Sequence, residues 1–426
     1  MRRHTTAQVA APFLPASEVR PSTYSRDGER FVRLVQRRDG STASSVVRCA
    51  AGIGADLPAE SGFDQSWLRT KSRPPLLAGL PPIRIVDMFS GCGGLSLGIT
   101  EAARALGRPA EHVIAVDLFP EALQVFALNF PEVRPVGERI EHVVDGSYDD
   151  ALTSQERKLR REAGDIDILV AGPPCQGHSD LNNHTRRNDP RNSLYFHMVR
   201  CAEVLRPRHV IIENVPGVIH DRSGVVERTT AALADLGYFV DGHVFQAATL
   251  GVPQRRRRHL LVASKEHRLS LASVAGSYSA DPRSMEWACG DLVGQEKTVC
   301  FDSASTPSER NQERIDYLFD HDLYELPDAQ RPDCHRLKEH SYKSVYGRLR
   351  WTDPVPTITS GFGSMGQGRF VHAGQRRTLT PHEAARLQFF PDFFRFDGVA
   401  RGALQTMIGN AVPSKLSYVV ALELLR

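Results

Sequence analysis

From residue 83 onward the apolar residues fall in short runs separated by polar, helix-spaced stretches. Ile83-Arg-Ile-Val-Asp-Met-Phe89, His112-Val-Ile-Ala-Val116, Glu141-His-Val-Val144, Ile166-Asp-Ile-Leu-Val-Ala171 and His209-Val-Ile-Ile212 read as strands. Between them, 120–130 carries Leu123, Phe126 and Ala127 on one helical face, and 151–163 is charged and helical. Strands alternating with helices predict an α/β fold with a mostly parallel sheet covered on both faces. Tyr238-Phe-Val240 through Phe245, and His259-Leu-Leu-Val262, predict an antiparallel pair closing one edge.

Outside this alternation the texture changes. Residues 1–30 are rich in Pro, Ser, Thr and Arg without periodicity, and disorder is expected there. Residues 31–80 offer one strand, Arg30-Phe-Val-Arg-Leu-Val35, then Gly- and Pro-rich sequence. Residues 265–345 are polar and irregular, with Trp287 and several tyrosines, and read as a separate module. Order returns near Tyr346. A capped helix is predicted at Thr380-Pro-His-Glu383, with proline at its first position and glutamate closing the cap, and another near Pro413. The expected organisation is an extension of unassigned function over 1–80, a catalytic domain over 81–264, the module over 265–345, and 346–426 returning to the catalytic domain.

A chain of 426 residues suits two or three domains, and 41% hydrophobic with 24% charged residues is ordinary for a globular protein. Seven cysteines without a Cys-x-x-Cys spacing argue against a disulfide framework and a four-cysteine zinc site, and no metal is expected. No apolar run approaches a membrane span, and the charged N-terminus lacks a signal peptide's apolar core, so a cytoplasmic protein is expected. A net charge of +3 does not by itself imply a polyanionic partner. The arginines at 255–258, and Arg186, Arg187 and Arg191, are solvated surface or anion contacts according to where they fall.

Four constellations carry candidate chemistry. Asp87-Met-Phe-Ser-Gly-Cys-Gly-Gly-Leu95 passes from strand to Gly-rich turn to helix, a place for a nucleotide-like ligand or simply a turn. Gly91 and Gly93 fit a dinucleotide fingerprint, but its third position is Ser96. Asp117, closing the second strand, can take ribose hydroxyls, and Asp145 can accept from an adenine amino group. Gly172-Pro-Pro-Cys-Gln-Gly-His178 follows a strand end, with two prolines restricting the chain before Cys175, a candidate nucleophile. Glu213-Asn-Val215 ends the fifth strand, and Glu213 is either a capping carboxylate or an acid partner for that thiol. Gln254-Arg-Arg-Arg-Arg258 lies beside the same cleft edge.

Together these motifs resemble the DNA (cytosine-5)-methyltransferases. Phe89-Ser-Gly-Cys-Gly-Gly94 resembles the family's cofactor motif, Gly172-Pro-Pro-Cys-Gln176 its Pro-Cys motif and Glu213-Asn-Val215 its Glu-Asn-Val motif. Gln254, Arg256 and Arg258 fit Gln-x-Arg-x-Arg, while Arg377-Thr-Leu-Thr-Pro-His-Glu-Ala-Ala-Arg-Leu387 and Gly409-Asn-Ala-Val-Pro413 resemble the last two motifs. All six stand in the family's order. The resemblance implies a Rossmann-like S-adenosylmethionine-dependent fold and methyl transfer to C5 of a flipped-out cytosine in duplex DNA. By it, Cys175 attacks C6, Glu213 serves N3 and the exocyclic amine, Arg258 meets the base carbonyl and Arg256 anchors the catalytic loop. It implies that Phe89, Ser90, Gly91, Cys92, Gly94, Asp117, Leu118, Asp145, Pro174, Leu194, Asn410 and Ala411 line the S-adenosylmethionine site. Ser179, Gln254 and Arg256 would contact DNA, 176–192 would be a lid, and 265–345 would recognise the target together with part of 346–426, the turn-rich Gly361–Gly368 segment. Leu118 stands where an aromatic is frequent, Asp117 where Glu is common, and His382 where Arg is frequent.

The implied setting is a bacterial, nucleoid-associated monomer, with a cognate restriction endonuclease as candidate partner. Two rivals remain. An RNA (tRNA) cytosine-5 methyltransferase shares the Pro-Cys and Glu-Asn-Val parts, but its Cys-Phe-Thr tripeptide is not apparent here. A catalytically silent DNA-binding subunit would have lost Cys175 or the cofactor glycines, and neither is lost.

Overall fold

The computed structural model describes residues 21–54, 56–75, 79–174, 193–295, 299–336 and 345–426. Three strands come first, β1 (Ser22–Asp27), β2 (Arg30–Gln36) and β3 (Thr42–Arg48), forming an antiparallel sheet in the order β1-β2-β3. The main sheet takes β4 (Ile83–Met88), β5 (Ala110–Val116), β6 (Arg134–Val136), β7 (Ile168–Ala171), β8 (His209–Asn214), β9 (Phe239–Gln246) and β11 (Arg257–Ser264). Its order is β6-β5-β4-β7-β8-β11-β9. The first five pair in parallel, and β11 runs antiparallel to both β8 and β9, as the sequence pattern predicts for the closing pair. Between them, β10 (Gln254–Arg255) pairs with β12 (Val355–Pro356).

Period-two alternation distributes each central strand between two cores. Ile83, Ile85, Ile168, Val170 and Ile211 face helices Gly94–Ala105 and Ser414–Leu425. Val86, Met88, Leu169, Ala171, Val210 and Ile212 face helices Ser154–Ala163, Ser193–Leu205 and Val225–Asp235. Both faces are covered, which is why these strands read as near-continuous apolar runs. The chain starts at β4, builds one side through β5 and β6, then returns to β7 and builds the other. That reversal opens a crevice at the carboxyl ends of β4 and β7, where ligands of such sheets bind.

Several sequence expectations are corrected. The Glu141–Val144 strand is instead the short helix Ile140–Val143, because Ile140, Val143 and Val144 bury at helical spacing; the third strand is Arg134–Val136. Disorder does not hold from Ser22 onward, since β1 hydrogen-bonds along the whole of β2. The N-terminal sheet and helix Ala59–Leu68 bury Phe31, Val35, Val47, Phe63 and Trp67 in the main core. Buried Arg33 reaches across, donating to Glu101 Oε1 at 2.8 Å and to the Tyr418 hydroxyl at 3.1 Å. The start of 265–345 is likewise part of the main core: Leu271, Val274 and Tyr278 bury at i, i+3 and i+7, and Arg283 pairs with buried Asp64 at 2.6 Å. A small core of its own gathers only around helix Glu309–Asp320, from Ile315, Leu318, Leu326, Val345, Tyr346, Met365 and Val371.

The predicted cap at Thr380 forms: Thr380 accepts from the backbone N–H of Glu383, whose carboxylate returns to the Thr380 N–H. Thr153 and Glu156 make the same box for helix Ser154–Ala163, a cap the sequence reading did not name. Among the described residues no helix is long and apolar enough to cross a membrane, and no His, Cys, Asp and Glu group could hold a metal ion.

Candidate active site

The turn after β4 is set by backbone conformations that favour glycine. Gly91 (φ 51°) and Gly93 (φ 98°) lie in the left-handed region, and non-glycine Phe89 joins them at φ 62°. The Ser90 N–H donates to Val116 O at 3.0 Å, and the Gly91 N–H to Asp117 Oδ2 at 2.7 Å, fastening the turn to the end of β5. A Cβ on Gly91 would meet nothing within 4 Å, so space is open above the turn. Gly94 is required by contact: its Cβ would fall 2.6 Å from Val412 O, within the Gly409–Pro413 motif. The first and last motifs thereby share one wall.

Ser96, which departs from the dinucleotide fingerprint, has a local cause. Its hydroxyl donates to Asp87 Oδ2 at 2.6 Å, on a buried carboxyl that burial pushes up to about 8. A glycine there could not supply that donor. Asp87 Oδ1 and Ser90 Oγ are buried without a partner among the described residues.

The second half of the site hangs from β7 and β8. The Gly172 N–H reaches Met88 O at 3.3 Å, and a Cβ on Gly172 would lie 3.4 Å from Glu213 Oε2 and 4.0 Å from Phe89 O. The cofactor turn, the Pro-Cys loop and Glu213 therefore converge at Gly172. Asn214 donates from Nδ2 to Pro173 O at 3.3 Å, tying the Glu-Asn-Val strand to the start of the cysteine loop. The sequence reading gave Asn214 no role, although its place in the motif was a signal. Cys175, Ser179 and the expected lid over 176–192 lie outside the described residues.

Glu213 is buried, and Arg258 Nε stands 2.6 Å from its Oε1. Burial raises its pKa above the ordinary carboxylate value, against the opposing pull of Arg258 and then Arg256. A carboxyl so placed keeps its proton to higher pH than an exposed glutamate while remaining oriented by a cation.

The four arginines are not one surface. Arg255 and Arg257 are exposed, Arg256 is buried and Arg258 turns to Glu213. Arg256 Nη1 donates to Ile358 O at 2.8 Å and both terminal nitrogens reach Gly409 O at 3.4 Å. Gln254, with no exposed surface, donates to Leu387 O at 3.1 Å and accepts from the Ile358 N–H at 2.9 Å. The expectation that Gln254 and Arg256 touch DNA is corrected by this burial: both side chains are turned into the C-terminal segment, Gln254 also donating to Gln388 Oε1 at 3.0 Å.

The other expected cofactor residues divide. Phe89, Gly91, Asp117 and Pro174 stand at the strand ends around the crevice, Leu118 is 60% exposed, Asn410 ends helix Arg401–Asn410, and Ala411, which follows it, lies beside Gly94. Asp145 is exposed and accepts from Thr153 Oγ1 at 2.5 Å, and Leu194 packs half-buried on the second core. The Cys92 thiol is buried, with Met407 O at 3.8 Å, and burial pushes it up to about 12, so its side chain packs and only its backbone can face the cofactor turn.

His382, where an arginine is frequent in the family, is held between two carboxylates. Nδ1 lies 2.8 Å from Asp302 Oδ1 and Nε2 3.0 Å from Asp392 Oδ1, joining 300–302 to the catalytic core. Burial would lower the His382 pKa, but the two carboxylates outweigh it and raise it. A histidine with a raised folded pKa gives its full stabilisation below its unfolded pKa, roughly 6.5, and loses it as pH rises through the folded value. The expected result is that His382→Gln lowers the thermal midpoint at pH 6 and that this difference narrows by pH 9, read by calorimetry at both.

The comparisons with known proteins agree with this geometry. A model of the C-5 cytosine-specific DNA methylases matches residues 83–426. The chain is 50% identical over 403 residues to the type II methyltransferase M1.BsuMI of Bacillus subtilis, covering 94% of each chain. It is 28% identical over 357 residues to type II methyltransferase M1.HphI of Haemophilus parahaemolyticus, covering 80% of this chain and 86% of that one. The solved structure of the Schizosaccharomyces pombe Dnmt2 methyltransferase shares the fold, with TM-score 0.55 at 15% identity, over 80% of this chain and 98% of that one. This chain belongs to the C-5 cytosine-specific DNA methylase family, and it is a DNA (cytosine-5-)-methyltransferase.

Proposed function

We propose that this enzyme methylates one cytosine of a specific duplex sequence through a covalent bond from Cys175 to C6, with S-adenosylmethionine as donor. The observation that carries the reading is the convergence at Gly172 of the glycine turn, the loop leading into Cys175 and the raised carboxyl of Glu213. The donor's binding residues fit: open space over Gly91, the Asp117 carboxylate at the end of β5, and the unpartnered Ser90 Oγ. Bound there, S-adenosylmethionine would supply the methyl group.

Cytosine C5 is a poor nucleophile. Addition of the Cys175 thiolate to C6 moves electron density onto C5, which can then take a methyl group. Glu213 would give its proton or a hydrogen bond to N3 as sulfur adds, and Arg258 would hold that carboxyl in place. Water then takes the C5 proton, the C5–C6 double bond re-forms as the C6–S bond breaks, and N3 returns its proton to Glu213, which regenerates the thiolate and releases 5-methylcytosine. The base must leave the stack first, at a cost of a few kcal/mol.

The cysteines with resolved shifts do not compete for the role. Burial pushes the thiols of Cys92, Cys201 and Cys289 upward, so little thiolate would form on them at neutral pH. The similarity to type II methyltransferases supports a place in a restriction-modification system, opposite an endonuclease of the same sequence. Incubation with methyl-labelled donor is expected to label C5 of cytosine in duplex DNA and to leave transfer RNA unlabelled. Label in transfer RNA alone would overturn the reading.

A further inference from the structure

Three of the arginines that pack around helix Glu309–Asp320 from 345–380 are neutralised. Arg348 Nη1 pairs with Asp322 at 3.2 Å, Arg376 Nη2 with Asp320 at 2.5 Å, and Arg369 with Glu325. Arg350 differs. Its guanidinium carbon lies 3.7 Å from the centroid of the Tyr324 ring, the shortest cation–ring contact among the described residues. It is exposed and has no carboxylate or hydrogen-bond partner among them. Three other arginines of 265–380, Arg268, Arg310 and Arg314, also lack a carboxylate there, but Arg310 has no ring beneath it, and Arg314, 5.9 Å from the Tyr346 ring, spends Nε on Gln330 O and Nη1 on Asn311 Oδ1. Arg268 lies over Phe239, at the end of the sheet opposite Glu213, since Phe239 pairs with Ser264 and Ser264 with His209 at the start of β8.

The backbone around Arg350 is fixed. The Arg348 N–H donates to Tyr324 O at 3.0 Å and the Leu349 N–H to Val371 O at 2.8 Å, while Trp351 O accepts from the Glu286 N–H at 3.0 Å. Five residues on, Val355 pairs with Gln254, on the strand that leads into Arg256 and Arg258. Five residues span at most roughly 17 Å, so Arg350 stands close to the strand that flanks the Glu213 site.

A guanidinium stacked on a ring keeps its in-plane N–H donors free in a pre-set fork. In the major groove that fork matches guanine O6 and N7, the most frequent specific contact to a base. We propose that Arg350, held on Tyr324, is a specificity-determining residue that reads one guanine of the target duplex. This rests on the reading above of the protein as a methyltransferase acting on a specific duplex sequence.

The test is a cycle of protein and base changes. Bisulfite mapping of DNA methylated by the wild type gives the target sequence. Each guanine of that duplex is then replaced in turn by 7-deazaguanine, which removes N7, and kcat/KM is measured for wild type and Arg350→Ala. One position is expected to cost the wild type roughly 5- to 150-fold and the variant almost nothing further, while the remaining guanines cost both enzymes alike. The cycle compares duplexes within one enzyme, so a partial loss of folded variant cancels. Losses that multiply independently at every guanine would overturn the proposal. So would a variant slowed equally on all duplexes, which is the mark of a phosphate contact. A wild type that methylates no duplex would fail at the mapping step, overturning the functional reading together with the proposal that rests on it.

Discussion

Replacing Cys175 with alanine is expected to reduce methyl transfer by at least about 10⁴-fold, the scale on which removing a nucleophile from a catalytic unit is felt. Duplex binding should survive, because the thiol contributes little to affinity. The measurement is single-turnover transfer of labelled methyl beside a binding titration on the same duplex. The neighbouring structure makes the prediction specific. Asn214 fixes Pro173 O at 3.3 Å, and Gly172 is pinned between Met88 O and Glu213. The chain is delivered to the mouth of the crevice at Pro174, one residue before the cysteine. An alanine variant that still transfers methyl at near wild-type rate would remove the thiol from the mechanism.

Glu213→Gln is expected to lower kcat by about 10²- to 10⁴-fold, the range of a positioned acid or base. The amide keeps the shape and can still hydrogen-bond, but it cannot give a proton. The pH profile separates these roles. Burial raises the Glu213 pKa while Arg258 and Arg256 pull it down, so the neutral acid persists above the ordinary carboxylate range. Activity that depends on the neutral form is full below the folded pKa and falls as pH rises through it. That descending limb should vanish in Glu213→Gln, which has no proton to lose. A limb that stays in place would assign it to another group.

Much of this site was legible in the sequence, because its parts are local. The turn at Phe89–Gly94 is written in glycines that take positive φ, and the strands in apolar runs whose two faces are both buried. Helix starts at Thr153 and Thr380 follow from a side chain bonding a backbone three residues away. What the pattern misplaced depends on distant partners. Arg33 drew no reading from its strand, because the partners that bury it, Glu101 and Tyr418, arrive from two remote helices. Gln254 and Arg256 look like DNA contacts until residues more than a hundred positions on engage them: Gln254 donates to Leu387 O and accepts from the Ile358 N–H, and Arg256 donates to Ile358 O and Gly409 O. The third strand was misread because Val143 and Val144 fit either period over so short a run. Ser96 shows the opposite case: a departure from a motif that one hydrogen bond to Asp87 explains.

The account turns on a covalent bond between one sulfur and one base, and trapping reads that bond directly. A duplex carrying 5-fluorocytosine at the target position cannot lose a proton from C5, so the adduct should accumulate. With S-adenosylmethionine present, the account predicts a stable protein–DNA complex whose modified peptide contains Cys175, absent from the alanine variant. An adduct on Cys92 or Cys201, or methylation of the normal duplex with no adduct on the fluorinated one, would contradict it.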